Sequence, residues 1–217
     1  MQEDWTKYLK VDEVFNFTHP AVRQFKEEHA QGTTAQEVAV SLYYAVRDAI
    51  WYDPFNIRFD AAELAASRVL DRKRGHCVDK AILYIAVCRA AQIPARLGLA
   101  RVQNHMGTAR LEEVLRSTVL NPHGFVEVYM ADKWVKCTPA FNQSLCEKLD
   151  VAPLDFNGVD DSVFQEFDGA GGGYMEYLNY HGTYAAVPLD ELRRHMFEEY
   201  PHLFDATGRF MSELLRS

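Results

Sequence analysis

The sequence predicts an α+β fold in which helices lead and strands follow. Three observations predict it. Apolar residues recur at helical spacing through the first part of the chain, strand-type alternation replaces that spacing after Pro94, and no repeating strand–helix–strand rhythm of a doubly wound sheet appears.

The first helix, over 20–30, opens at Pro20, a residue suited to a first turn, and sets Val22, Phe25 and Lys26 at helical spacing. Thr33-Thr34 caps a stronger helix over 35–50. Val38, Leu42, Ala45, Val46 and Ala49 form its stripe, and Glu37, three residues after Thr34, completes a capping box. Tyr52-Asp53-Pro54-Phe55-Asn56 reads as a turn, and a short helix follows over 62–70. The stretch 76–91, with AILYIAVCRAA apolar on nearly every face, belongs in the middle of a core and ends before Pro94.

Strand signals come next. Residues 95–102 alternate weakly and 125–129 clearly, and 134–137 follows the turn Ala131-Asp132-Lys133, so the last two form an antiparallel hairpin. The connection 103–122 carries a helical piece at 109–116. Beyond Pro139 the signals fade. Residues 150–173 are rich in Asp, Asn and Gly, and Gly169-Ala170-Gly171-Gly172-Gly173 reads as a flexible loop without the Lys-Ser/Thr ending of a phosphate-binding loop. A last helix over 189–200 places Leu192, Met196, Phe197 and Tyr200 on one side. The expected organisation is a domain over 1–149, with its core at about 35–142, and a C-terminal extension over 150–217 packed on it. That extension is a candidate cover for the cleft, an expectation motivated by the glycine run.

A length of 217 residues supports a core without staples, and a formal charge of −8 leaves no basic stripe for nucleic acid. No window approaches the roughly 18 consecutive apolar residues of a membrane span, so no membrane partner is expected. The amino terminus MQEDWTKYLK has no signal-like apolar core. With Cys77, Cys88, Cys137 and Cys146 forming no C-x-x-C pair, reduced thiols and a cytoplasmic location are expected. No metal site is expected, because the histidines and cysteines lack paired zinc spacing, and no cofactor is implied.

Cys77 is the candidate nucleophile. It follows Arg74-Gly75-His76 and opens the buried helix, where unpaired N–H groups favour thiolate and can hold an oxyanion. Gly75 gives the chain a tight entry. His123, between Asn121-Pro122 and Gly124, is the candidate base, held at the start of a strand where substrate can reach it. Glu127 lies four residues further on the same face, either supporting the site or pairing with a cation, and His76 adjoins the nucleophile. Asp79 is read as a favourable charge at the helix start, and His105 as a cleft neighbour. Cys88 and Cys137 read as inert core thiols. His19, His29, His181, His195 and His202 read as structural or exposed.

The run ASRVLDRKRGHCVDKAILYIAVCRAAQIPARLG, residues 66–98, resembles the nucleophile segment of the transglutaminase-like superfamily, and HGFVEVYMADKWVKCTPAFN, residues 123–142, resembles its histidine segment. Ile50-Trp51-Tyr52-Asp53 also fits, and the likeness covers roughly residues 40–142 and suggests a bacterial-type member. It implies a papain-like core: a central helix opened by Cys77, packed on an antiparallel sheet carrying His123. The implied activity is hydrolysis or acyl transfer of an amide or peptide bond through a Cys77 thioacyl intermediate, on a peptide, protein or small amide substrate. Hydrolysis is favoured because no calcium-loop signature appears. The third position of the implied triad is Thr138 where the family pattern has aspartate, with Asn142 as a possible substitute orienter. A threonine can accept from imidazole but cannot stabilise imidazolium by charge. The alternative is therefore a degenerate member that binds a peptide or protein without turnover.

Overall fold

The structure, a computed structural model, describes residues 4–105, 108–163 and 175–215. Two helices come first, α1 (Pro20–His29) and α2 (Ala35–Ala49), the second with the expected Thr34–Glu37 capping box. A two-residue strand β1 (Trp51–Tyr52) pairs in parallel with β2 (Arg74–Gly75), and between them lie α3 (Ala61–Leu64) and α4 (Ala66–Arg72). Then come α5 (Cys77–Ala90), β3 (Ala95–Asn104), α6 (Ala109–Leu115), β4 (Val119–Met130), β5 (Lys133–Cys137), α7 (Gln143–Leu149), β6 (Met175–Tyr184) and α8 (Leu189–Glu199).

The α+β expectation holds. One antiparallel sheet runs in the order β5-β4-β3-β6. The central helix α5 packs on β4 and β3 and is ringed on its other sides by α1, α2 and α4. Val126 and Val128 of β4 face this helix, while Phe125 packs on the opposite face with Ala100 and Val102, as a period of two requires.

Every α5 residue from Cys77 to Arg89 is buried, including two cations. A buried charge needs partners. Lys80 Nζ donates to the carbonyls of Arg47 (2.8 Å) and Ile50 (2.6 Å), closing the carboxyl end of α2. Arg89 donates to Lys10 O (2.8 Å), Ala95 O (3.1 and 2.9 Å) and Ala185 O (2.8 Å), with its guanidinium 4.2 Å from the Phe15 ring centroid.

Three features depart from the sequence reading. Strand β4 begins at Val119 rather than 125 and includes a cis Asn121–Pro122 bond. Residues 143–149 form α7, whose start Asn142 caps with backbone geometry alone. Strand β6 was not expected, yet it lies antiparallel to β3 from Leu97↔Tyr184 to Asn104↔Met175. The chain beyond residue 150 therefore supplies an edge strand to the central sheet, and α8 packs against β4. The glycine run 169–173 lies outside the described residues. Among the described residues, no helix is long and apolar enough to cross a membrane.

Candidate active site

The site begins with the entry to α5. His76 is its N-cap. The imidazole Nδ1 lies 2.7 Å from Asp79 Oδ2 and 3.3 Å from the Asp79 backbone nitrogen. One nitrogen cannot both donate and accept, and the shorter contact to a carboxylate decides: Nδ1 carries the proton. Asp79 also accepts from the His76 N–H (3.0 Å) and from Arg72 Nη2 (3.2 Å), which satisfies a fully buried carboxylate. A Cβ on Gly75 would stand 2.5 Å from the Asp79 Cβ, so this entry requires glycine.

Cys77 is thus the first residue of α5, as expected, and its sulfur faces the sheet. Sγ accepts from the Gly124 N–H at 3.4 Å, next in sequence to His123. Glycine is required there too, because a Cβ would meet Val78 Cγ2 at 2.8 Å and Val78 Cα at 3.0 Å. Gly124→Ala should push β4 off the helix mouth, with a loss of about 1–3 kcal/mol in chemical denaturation. Unchanged stability would show that the strand yields without penalty.

The sequence reading expected a thiolate at this position. The structure corrects that: burial pushes the Cys77 thiol up to about 11, outweighing the downward pull of the Gly124, Val78 and Cys77 N–H groups. The residue is 7% exposed.

His123 is corrected in the same sense. It sits within β4 opposite Ala100, not at an accessible strand end, and is 2% exposed. Burial pushes its imidazole down to about 4, with repulsion from His76 adding to the effect. Sulfur and imidazole are not hydrogen-bonded to each other. They line different cavities: Cys77 one of about 50 Å³, and His123 one of about 20 Å³ shared with Thr138, Ala140 and Phe141.

The position identified by resemblance as the third member, Thr138, therefore adjoins the histidine. Its hydroxyl is buried and makes no hydrogen bond among the described residues, while its N–H and C=O bond Ser162 O (3.0 Å) and Tyr43 Oη (3.1 Å). Thr138→Asp should raise the His123 pKa by about 1–3 units, the usual effect of an adjacent carboxylate. Proton NMR titration reads this directly, and an unmoved imidazole would separate the two positions.

Asn142 does not orient His123, because its amide is bonded elsewhere. Oδ1 accepts from the Tyr52 N–H (3.1 Å) and Nδ2 donates to Ser144 Oγ (2.7 Å). Glu127 pairs with Arg96 (2.7 Å to Nε, 2.6 Å to Nη2), the second of its two readings. His76 lines the Cys77 cavity, and His105 is exposed and does not. Cys88 and Cys137 are fully buried in the core.

Sequence reasoning expected the extension over 150–217 as a cover for the cleft, but not which residues form the roof. Leu192 and Met196 of α8, the following Tyr200, and Leu111 and Leu115 of α6 close over Cys77 with Ile57 and Phe59. Tyr200 Oη locks this roof to the sheet, donating to Val119 O (2.6 Å) and accepting from the Asn121 N–H (2.9 Å). The apolar stripe of α8 was visible in the sequence, but the expected cover was argued from the glycine run, and nothing tied that stripe to Cys77.

A thiol at the amino end of a buried helix, set against an antiparallel sheet that carries a histidine, defines the frame of a thiol enzyme. The sequence matches the core of the Transglutaminase-like superfamily over residues 23–139, and the chain belongs to that superfamily. Among solved structures it is similar to a candidate cysteine protease from Cytophaga hutchinsonii, with a TM-score of 0.49 and 16% identity. That likeness covers 64% of this chain and 43% of the other, so the chain spans less than half of that neighbour's length. No curated protein matches the sequence.

Proposed function

We propose that this chain is a thiol amidase or peptidase of the transglutaminase-like type, with Cys77 as nucleophile and His123 as base. One observation carries the reading: the Cys77 sulfur sits in the first turn of α5 and takes a hydrogen bond from the backbone beside His123. The reaction starts from a neutral pair. With the roof displaced and the ring brought within hydrogen-bonding reach of Sγ, the sulfur bonds to the carbonyl carbon of a bound amide as its proton passes to the imidazole, and the amino-end N–H groups of α5, Cys77 among them, hold the oxyanion. The imidazolium then protonates the leaving amine, the C–N bond breaks, and a thioacyl group remains on Cys77. Water, or an acceptor amine, attacks the thioester after yielding its proton to His123. A cavity of about 50 Å³ holds a few waters and no peptide, so substrate must displace the α8 roof.

Specific observations favour a second reading, binding of a peptide or protein without turnover. They are Thr138 at the third position and a resting pair with thiol and imidazole both neutral. Intact-mass spectrometry during incubation with a panel of peptide p-nitroanilides, across about pH 5 to 9, separates the two. The enzyme reading expects released nitroaniline and an acyl adduct mapped to Cys77. Saturable binding with neither product nor adduct favours the binding module and overturns the enzyme.

A further inference from the structure

The roof over Cys77 is fastened by two stacked imidazoles. His181 of β6 and His195 of α8 lie with ring centroids 3.7 Å apart and planes at 20°. Their partners favour neutral rings. Asn121 Nδ2 donates to Glu199 Oε2 (3.1 Å), which fixes the amide, so its Oδ1 accepts from His181 Nε2 at 2.7 Å. The other nitrogen, Nδ1, faces Asn179 Nδ2, a donor, at 3.4 Å. His195 Nε2 faces Arg194 Nη2, a donor only, at 3.4 Å, leaving its proton on Nδ1, which lies 3.8 Å from Glu198 Oε2. A second proton on either ring would set N–H against N–H, and protonating both would place two cations in van der Waals contact.

The charges around the pair are few. Arg194, Glu191 and Glu198 come from α8, with Glu191 accepting from Tyr184 Oη of β6 at 2.6 Å. Glu199 is held by Arg101 of β3 at 2.6 and 2.8 Å. Burial holds both imidazoles below their usual range, and Arg194 adds to it, as His195 does for His181; Glu191 and Glu198 pull the other way.

We propose that the His181–His195 stack is an acid-sensitive latch, which keeps α8 over Cys77 at neutral pH and, when both rings take up protons, releases α8 and opens the cavity. Its use in regulating turnover rests on the function proposed above, whereas the opening itself does not. Because the latched state disfavours the protonated rings, the latch is at full strength above the ordinary imidazole range of about 6.5 and weakens as pH falls below it.

The test labels the intact chain with 4,4′-dithiodipyridine, which reacts with thiols in acid. Peptide mapping reads each cysteine, and every rate is taken relative to glutathione at the same pH. The relative rate at Cys77 should rise by about tenfold or more between pH 7.5 and 5, since each of the two protons, held about one pH unit more tightly in the open state, contributes up to about tenfold. Cys88 and Cys137, fully buried in the core, should stay protected and so report that the fold is intact. His195→Phe and His181→Phe keep a ring and remove the proton site, and each should flatten the rise. A flat profile in the unsubstituted chain, Cys88 rising in parallel with Cys77, or the same rise in both variants would overturn the latch. A chain that opens in acid yet turns over no amide defeats the proposed catalysis alone. One that turns over amide with flat labelling defeats the latch alone.

Discussion

Cys77→Ala should lower turnover of any amide substrate by about three orders of magnitude or more, because the atom that forms the acyl bond is gone. What remains is the catalysis due to positioning and to the N–H groups at the start of α5. The fold should survive, since the substitution removes one 3.4 Å hydrogen bond to a small buried side chain, worth about 1 kcal/mol. His123→Gln should fall nearly as far, because nucleophile and base act as a unit and their losses do not add. Initial rates, acyl-adduct mass and near-UV circular dichroism on the same preparations make the comparison. Wild-type turnover by Cys77→Ala, with the fold intact, would remove Cys77 from the reaction.

Acid should destabilise this chain through His123 itself. The imidazole is pushed from an ordinary 6.5 to about 4 by burial, so the folded state binds its proton less tightly than the unfolded chain does. Its neutral form therefore supports the fold fully above about 6.5. That support is lost progressively as pH falls, and completely below about 4. The difference amounts to about 3 kcal/mol. The ring is almost wholly enclosed, so solvent screening does little to reduce it. Urea unfolding at pH 7 and 4.5 reads the loss, and His123→Gln should flatten the pH dependence. His195→Phe provides the contrast: it removes acid opening of the roof and leaves the His123 slope in place. An unchanged slope in His123→Gln would assign the acid sensitivity to other groups.

Much of the frame was legible because it is local. The Thr34–Glu37 box, the all-apolar run of α5 and the β4–β5 turn each follow from residues a few positions apart. Strand β6 was not, since its aromatic and polar residues sit at an exposed edge and carry no clean alternation. The positions of Cys77 and His123 were legible, but their states were not. Whether a helix-start sulfur is a thiolate or an enclosed thiol depends on α6 and α8 closing over it, and these lie between 32 and 122 residues away in sequence. Asn142 and His76 show the same limit in small. Each looked available for the site, and each is engaged by a backbone or carboxylate partner that only the fold brings near.

Arg89 ties three distant stretches of chain together, donating to carbonyls from before α1, from the start of β3 and from just after β6. Clipping away everything from Ala185 onward would leave that guanidinium facing a hole in the hydrocarbon interior, short of one acceptor. Proteolytic trimming of this terminal stretch should therefore melt the heart of the fold rather than merely uncover it, so the roof can swing aside but cannot be discarded.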